Sequence, residues 1–358
     1  MSTMPRRSAA TGTIELLRAG KRRGRSRSAL SRAVHSGELH RLRQGVFVRA
    51  EQWAQARLSQ RHRAFTAAVG LTSASAVFCG RTALSLYGLP LLSWPQQVHC
   101  RTRHHSRVGV SDAGFFTVRT SFPLKHASLS RQEAQLRLRR ADLALPYMNV
   151  PVPGVSLEDG SRIEVRVEPL PSVLVDTLPR LSRQEAIVVL DAALTGKYDY
   201  GVRVTDRDLH TAESFLSPGH TAAWRQLRDF ADARSESPGE SRSRVLFDEL
   251  GFEAPQLQVE LHLAGVGRVR VDFWWEGLVC EFDGMIKYTR QFTDRDAEDV
   301  VKQEKLREDA LRMHGYRVVR ITWSDLDDPQ TLGRKLLLAG APHRATRWHG
   351  GASWSAAS

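Results

Sequence analysis

Arg268-Val269-Arg270-Val271-Asp272-Phe273-Trp274-Trp275-Glu276-Gly277-Leu278-Val279-Cys280-Glu281-Phe282-Asp283-Gly284 is two alternating runs divided by Glu276-Gly277, the pattern of a β-hairpin. With Glu276-Gly277 as the turn, Trp275 pairs with Leu278. Counting outward sets Asp272 across from Glu281 and Arg270 across from Asp283. Val271 and Phe273 then join Cys280 and Phe282 on an apolar face, which leaves Asp272, Glu281 and Asp283 on the other. A slip of one residue would carry the apolar set into solvent, so the alternation pins the register. Directly opposed carboxylates stand about 5 Å apart and repel. A hard divalent cation such as Mg²⁺ or Mn²⁺ resolves that repulsion, because it takes carboxylate oxygens together with water and phosphate oxygens. At a phosphodiester it polarises the phosphate and lowers the pKa of an attacking water.

Working outward, Ser237-Pro238-Gly239-Glu240 starts a helix that runs towards Leu250 and is closed by Gly251. Gln256 to Leu263 reads as a strand, Asp294 to His314 as a long charged helix ended by Gly315, and Tyr316 to Thr322 as an apolar strand. The order is helix, three strands, helix, strand. With Glu240 on the first helix, Asp272 on the second strand and Glu281 on the third, residues 236 to 340 resemble the PD-(D/E)XK nuclease core. More closely they resemble uncharacterised bacterial domains similar to very-short-patch repair endonucleases. The residues that carry this likeness are Val271-Asp272-Phe273, Glu281-Phe282-Asp283-Gly284, Arg307 with Leu311, Gly315-Tyr316 and Val318-Val319-Arg320. The resemblance implies catalytic roles for Asp272, Glu281 and Asp283, a Mg²⁺ or Mn²⁺ cofactor held by Glu240, Asp272 and Glu281, and DNA contact by Arg307. One departure bears on activity. The lysine usual two residues after the glutamate is Asp283 here, and Lys287 takes its place from the next turn. Simpler roles compete: Asp283 as a cross-strand partner of Arg270, Glu240 as half of a capping box with Ser237, and Lys302, Lys305 or Arg307 as neutralising cations.

The remainder supplies charge. The chain of 358 residues carries a formal net charge of +13 and a pI near 10.3, which favours a polyanionic partner because Lys and Arg release counterions from phosphates. Much of that charge lies before residue 50, where Ile14 to Ala19 reads as a helix stopped by Gly20. A second helix, capped by Ser26 or Ser28, ends before Gly37. Ala29, Leu30, Ala33 and Val34 repeat on one face of it and leave Arg27, Ser31, Arg32 and His35 outward. Leu39 to Arg43, Gln44-Gly45 and Val46-Phe47-Val48 then read as a basic strand, a turn and an apolar strand. Ser28 to Val48 resembles the winged-helix domain of abortive-infection AbiEi antitoxins. That resemblance implies double-stranded DNA as partner, contacts from Arg27, Arg32, Arg41 and Arg43, and a cognate toxin.

Between these ends, helical stretches (Pro171 to Leu178, Ser182 to Leu194) alternate with strand-like ones (Phe115 to Thr120, Arg162 to Val167) and show no catalytic constellation. Gly80 to Pro90 and Val173 to Asp176 are similar to connecting regions of the same antitoxin-like family. His104 and His105 sit among Arg101, Arg103 and Arg107 and read as a solvated basic loop. Three cysteines without CxxC spacing argue against a zinc cluster and fit a reducing cytoplasm. No signal or membrane-anchor segment is expected. The expected architecture is α/β and multidomain: a winged helix at 1–52, a mixed α/β region at 53–235, the nuclease-like domain at 236–340 and a disordered tail at 341–358. Two functions are open. One is a Mg²⁺-dependent DNA endonuclease of phage defence or DNA repair, the other an antitoxin-type transcriptional regulator whose nuclease fold is inactive. An RNA-directed role is weaker, since no RNA-binding motif is visible.

Overall fold

The computed structural model describes residues 12–19, 26–95, 97–101, 110–113, 116–120, 147–196, 204–214, 216, 218–284 and 305–344. The chain is mixed α/β and forms two compact units, residues 1–181 with 196–226 and residues 182–195 with 227–358. The segment expected as an N-terminal domain and most of the middle region therefore share the first unit. The second unit also takes in a helix, Arg183–Thr195, from the sequence assigned to that middle region.

The first unit is built on a mixed sheet of nine strands: β1 (Ile14–Arg18), β2 (Leu39–Arg43), β3 (Val46–Arg49), β4 (Val77–Phe78), β5 (Gln97–Arg101), β6 (Val110–Ala113), β7 (Phe116–Thr120), β8 (Met148–Leu157) and β9 (Arg162–Val167). Their order is β2-β3-β1-β8-β9-β4-β5-β7-β6. The helix expected at Ile14 to Ala19 is instead strand β1. It runs antiparallel to β3 (Leu17↔Phe47) and parallel to β8 (Leu16↔Leu157). Five residues pay the nucleation cost of a helix for very few internal hydrogen bonds, whereas a strand with neighbours on both sides has partners for its N–H and C=O groups.

The second expected helix is present as Arg27–His35, with the Ser26 hydroxyl accepting the Ala29 N–H at 3.2 Å. Its buried Leu30 and Ala33 pack with Leu17, Leu39 and Phe47. The β2–β3 hairpin turns at Gly45, whose φ of 78° suits glycine. Since β3 is also bonded to β1, this hairpin is one end of the large sheet.

The second unit holds a four-stranded sheet of β10 (Gln256–Leu263), β11 (Gly267–Trp275), β12 (Leu278–Asp283) and β13 (Arg317–Thr322), in that order. The first two pairings are antiparallel and the last is parallel. The β11–β12 turn falls at Glu276-Gly277, with Trp275 paired to Leu278. One face packs Phe273, Trp275, Leu278 and Cys280 against Leu246, Phe247, Leu326, Leu332 and Leu336 from the helices Pro238–Glu249, Trp323–Asp327 and Pro329–Leu338. A second cluster joins Val269, Val271, Val279 and Leu263 with Ala310 and Leu311 of a helical stretch at 305–313.

Phe273 and Val271 thus belong to different clusters, although the hairpin alternation puts them on one apolar face. Their partners on β10 divide in the same way: Leu257, paired with Phe273, joins the first cluster and Val259, paired with Val271, the second. Between Leu257 and Val259 lies Gln258, with φ 54°. A left-handed residue interrupts the two-residue alternation of a strand, and β10 and β11 exchange faces at Gln258 and Asp272 while β12 keeps Leu278, Cys280 and Phe282 in the first cluster.

The Pro238–Glu249 helix meets β12 through Gly239. A Cβ there would fall inside the Phe282 ring, which itself stands edge-on to Trp323 at 5.3 Å. Gly239→Ala is therefore expected to destabilise the second unit by about 1–3 kcal/mol, the usual cost of overpacking. Urea unfolding measures it, and an unchanged midpoint would contradict the close approach.

Candidate functional site

Glu240 is placed by its helix start. The Ser237 hydroxyl accepts the Glu240 N–H at 3.2 Å, which fixes the first turn. The Glu240 carboxylate does not close the expected box onto Ser237. Its Oε2 accepts the N–H of Glu236 at 2.9 Å and the side-chain amide of Gln258 at 2.9 Å. With 7% of its surface exposed, Glu240 has its pKa pushed up by burial, and the nearby Asp272 charge pushes it further.

Asp272 lies where β11 and β12 part. Their ladder runs through Trp275↔Leu278, Trp274↔Val279 and Phe273↔Cys280. One step beyond, Asp272 Oδ2 accepts the Phe282 N–H at 2.9 Å and Oδ1 accepts from Gln258 Nε2 at 3.4 Å. Burial raises the Asp272 pKa, while these two donors and the charges of Arg307 and Arg270 oppose the rise.

Glu281 is also buried, and its Oε1 receives Arg307 Nη2 at 2.5 Å. Arg307 donates as well to the Arg270 carbonyl. The Arg270 side chain reaches Glu236 at 2.7 Å. Asp283 ends β12 in register with Thr322 of β13. Lys287, Lys302 and most of the expected Asp294 to His314 helix lie outside the described residues.

Glu240 and Asp272 are thus joined through one glutamine, while Glu281 is drawn to an arginine. Among the described residues, no three His, Cys, Asp or Glu side chains stand together at metal-binding distance. The donor chemistry still suits a hard cation, which needs one or two carboxylates and fills its remaining positions with water or phosphate. Glu240 and Asp272 offer two such carboxylates, buried close enough for one charge to act on the other.

The sequence reading missed Gln258. Among the described residues it is the one non-glycine with positive φ, a conformation that costs of order 1–3 kcal/mol. The strand pairing places it, Leu257↔Phe273 and Val259↔Val271 setting Gln258 level with Asp272, and nothing in the sequence signalled its positive φ.

In the first unit, Arg32 is exposed on the Arg27–His35 helix and Arg41 is exposed on β2. Arg43 is half-buried and donates from Nε to Thr72 Oγ1 at 2.9 Å. Arg27 opens the helix, but its side chain lies outside the described residues, as do His104 and His105. Among the described residues no helix is long and apolar enough to cross a membrane.

A carboxyl whose pKa is higher folded than unfolded binds its proton more tightly in the native state. The stability it costs is absent below the unfolded value near 4 and grows as pH climbs towards the folded value. In buffer containing chelator, Glu240→Gln is expected to be nearly neutral at about pH 4 and to stabilise the second unit increasingly as pH rises to about 7. Urea midpoints across that range test this; a difference independent of pH would count against burial of the charge as its source.

The chain is similar, at 33% identity over 129 residues, to the uncharacterized protein MT2308 of Mycobacterium tuberculosis strain CDC 1551 and to the uncharacterized protein Rv2248 of strain H37Rv. The match covers 35% of this chain and 45% of each relative, so the aligned part is less than half of the curated relatives. No protein-family model matches the chain, and no solved structure matches it either.

Proposed function

We propose that this protein binds double-stranded DNA through the basic helix and hairpin of its first unit and cleaves it with a Mg²⁺- or Mn²⁺-dependent endonuclease site in its second, in phage defence or DNA repair. The observation that carries the reading is the pair Glu240 and Asp272, carried by a helix and by β11 and bridged by the Gln258 amide, with both carboxyls pushed up in pKa. Perturbed carboxyls gathered at one place mark a candidate functional site. Glu240 and Asp272 would hold the cation, with Glu281 completing the set once Arg307 leaves it. The bound cation supplies a polarised phosphate and a more acidic attacking water. Arg307 is then free to pair with a phosphate, the role for which a guanidinium fork is suited. Arg32 and Arg41 contribute phosphate contacts that position the duplex without reading its sequence.

A second reading is favoured by one observation. Arg307 neutralises Glu281, with Asp283 at the place where the nucleases that this segment resembles carry lysine. This describes an antitoxin-type transcriptional regulator with an inactive nuclease fold and a cognate toxin as partner.

Calorimetric titration of Mn²⁺ into the wild type and Asp272→Ala, with plasmid nicking on the same samples, separates the two. The enzyme reading expects metal binding and nicking in the wild type, and a loss of nicking of roughly 100-fold or more in Asp272→Ala, the order that follows removal of one charge-stabilising group. Wild-type protein that binds duplex DNA but neither binds Mn²⁺ nor nicks would leave the regulator. For the DNA contact, Arg41→Ala is expected to weaken binding about equally across sequences and to flatten the slope of log K against log salt by about 1. An unchanged slope would remove Arg41 from the interface.

A further inference from the structure

Gln258 combines two features that the proposed reaction has not used. Its backbone is left-handed in the interior of β10, where no other residue has positive φ, and its amide reaches one buried and one partly buried carboxylate on different elements, Glu240 Oε2 at 2.9 Å and Asp272 Oδ1 at 3.4 Å. An extended residue at this position would follow the alternation set by Leu257 and Val259. The left-handed turn, level with Asp272 across the strand pair, accompanies the exchange of faces. The other groups that bond the two carboxylates are the backbone N–H of Glu236 and the Ser237 side chain at Glu240, and the backbone N–H of Phe282 at Asp272. Among the described residues it is the Gln258 side chain that bonds both acids. A primary amide has two N–H groups and no net charge, so it can hold two carboxylates towards one another without cancelling their repulsion. That leaves them disposed to accept a cation.

We propose that Gln258 is a positioning residue for the divalent-cation site: in the metal-free protein its amide holds Glu240 and Asp272 facing one another, and it gives up that place to the cation. The inference rests on reading the second unit as a divalent-cation-dependent nuclease. It assigns the strained backbone a purpose, since the left-handed conformation is what brings a strand side chain between a helix carboxylate and a strand carboxylate.

The test uses the full-length protein, Mn²⁺ alone as the probe, and two variants with opposite expectations. Gln258→Gly keeps the left-handed backbone at no steric cost and so retains the fold, but it lacks the amide. Its Mn²⁺ Kd is expected to weaken by about 10-fold or more, as when a residue that orients metal ligands is removed. Gln258→Glu replaces the donor with a third carboxylate. It is expected to lower the melting temperature in chelator, to recover it in Mn²⁺, and to bind Mn²⁺ more tightly than the wild type. A purely structural role predicts Mn²⁺ affinity unchanged in the glycine variant, and that result, or a glutamate variant no tighter than wild type, would overturn the proposal while leaving the nuclease reading intact. Shifts in affinity as expected, with plasmid left uncut by the wild type, would keep the positioning role and remove the nuclease. Wild-type protein that binds no Mn²⁺ would remove both.

Discussion

The partial burial of Asp272 is the constraint from which the second unit's site follows. An ionised carboxylate taken out of water costs several kcal/mol unless donors meet it. Here they are the backbone N–H of Phe282 and the amide of Gln258. Because a side chain satisfies the Phe282 N–H, β11 and β12 stop pairing at Phe273↔Cys280 and open into a fork. Glu240 enters that opening from the Pro238–Glu249 helix, and its approach requires a residue without a side chain at Gly239, against the Phe282 ring. The fork and the left-handed glutamine both meet this partly buried acid.

The helix that carries Glu240 is itself held by charge. Arg244 pairs with Asp191 at 2.8 Å, where the Asp191 side chain is 1% exposed, and also donates to the Phe230 carbonyl at 2.6 Å. Arg242 bonds Gln184 at 3.0 Å and Asp327 at 2.8 Å. Burial raises the Asp191 pKa and the Arg244 charge opposes it. Removing either partner of such a pair leaves an uncompensated buried charge, at about 3–5 kcal/mol. The Arg183–Thr195 helix therefore belongs with the second unit for an electrostatic reason: it carries the counter-ion that fixes the turn where Glu240 sits.

How much of this was legible depended on whether the signal was local. The β11–β12 hairpin could be read from its turn as far as Phe273↔Cys280, because Glu276-Gly277 and the flanking alternation specify turn and register together; the expected pairs Asp272↔Glu281 and Arg270↔Asp283 lie beyond the ladder, because the Asp272 carboxylate takes the Phe282 N–H. The Ser26 cap and the Gly45 turn were readable for the same reason. Strand β1 was not, since IELLR is compatible with either structure and its partner Val155 to Leu157 lies far along the chain. The exchange of faces was also hidden: alternation assumes an unbroken pleat, and nothing about a glutamine announces φ 54°. For Arg43 the residue type was informative and the role was not, because only the fold brings Thr72 against its guanidinium.

The same energetics weigh on the choice between an active and an inactive nuclease fold. Glu240 and Asp272 are both held at raised pKa by burial, and Gln258 adds backbone strain, yet none of the three fills the apolar clusters on either face of the sheet. A regulator that used this unit only to present a surface would gain stability by exchanging them for neutral, unstrained residues, since buried acids and left-handed side chains each lower stability where no ligand offsets them. A cation bound between the acids turns their repulsion into affinity and offsets the cost of burial. The Arg307–Glu281 pair fits the regulator on this measure, whereas the Gln258 amide brings no charge to offset Glu240 and Asp272. A divalent ion between those two acids would offset the cost of burying them, which is what the enzymatic reading asks of the site.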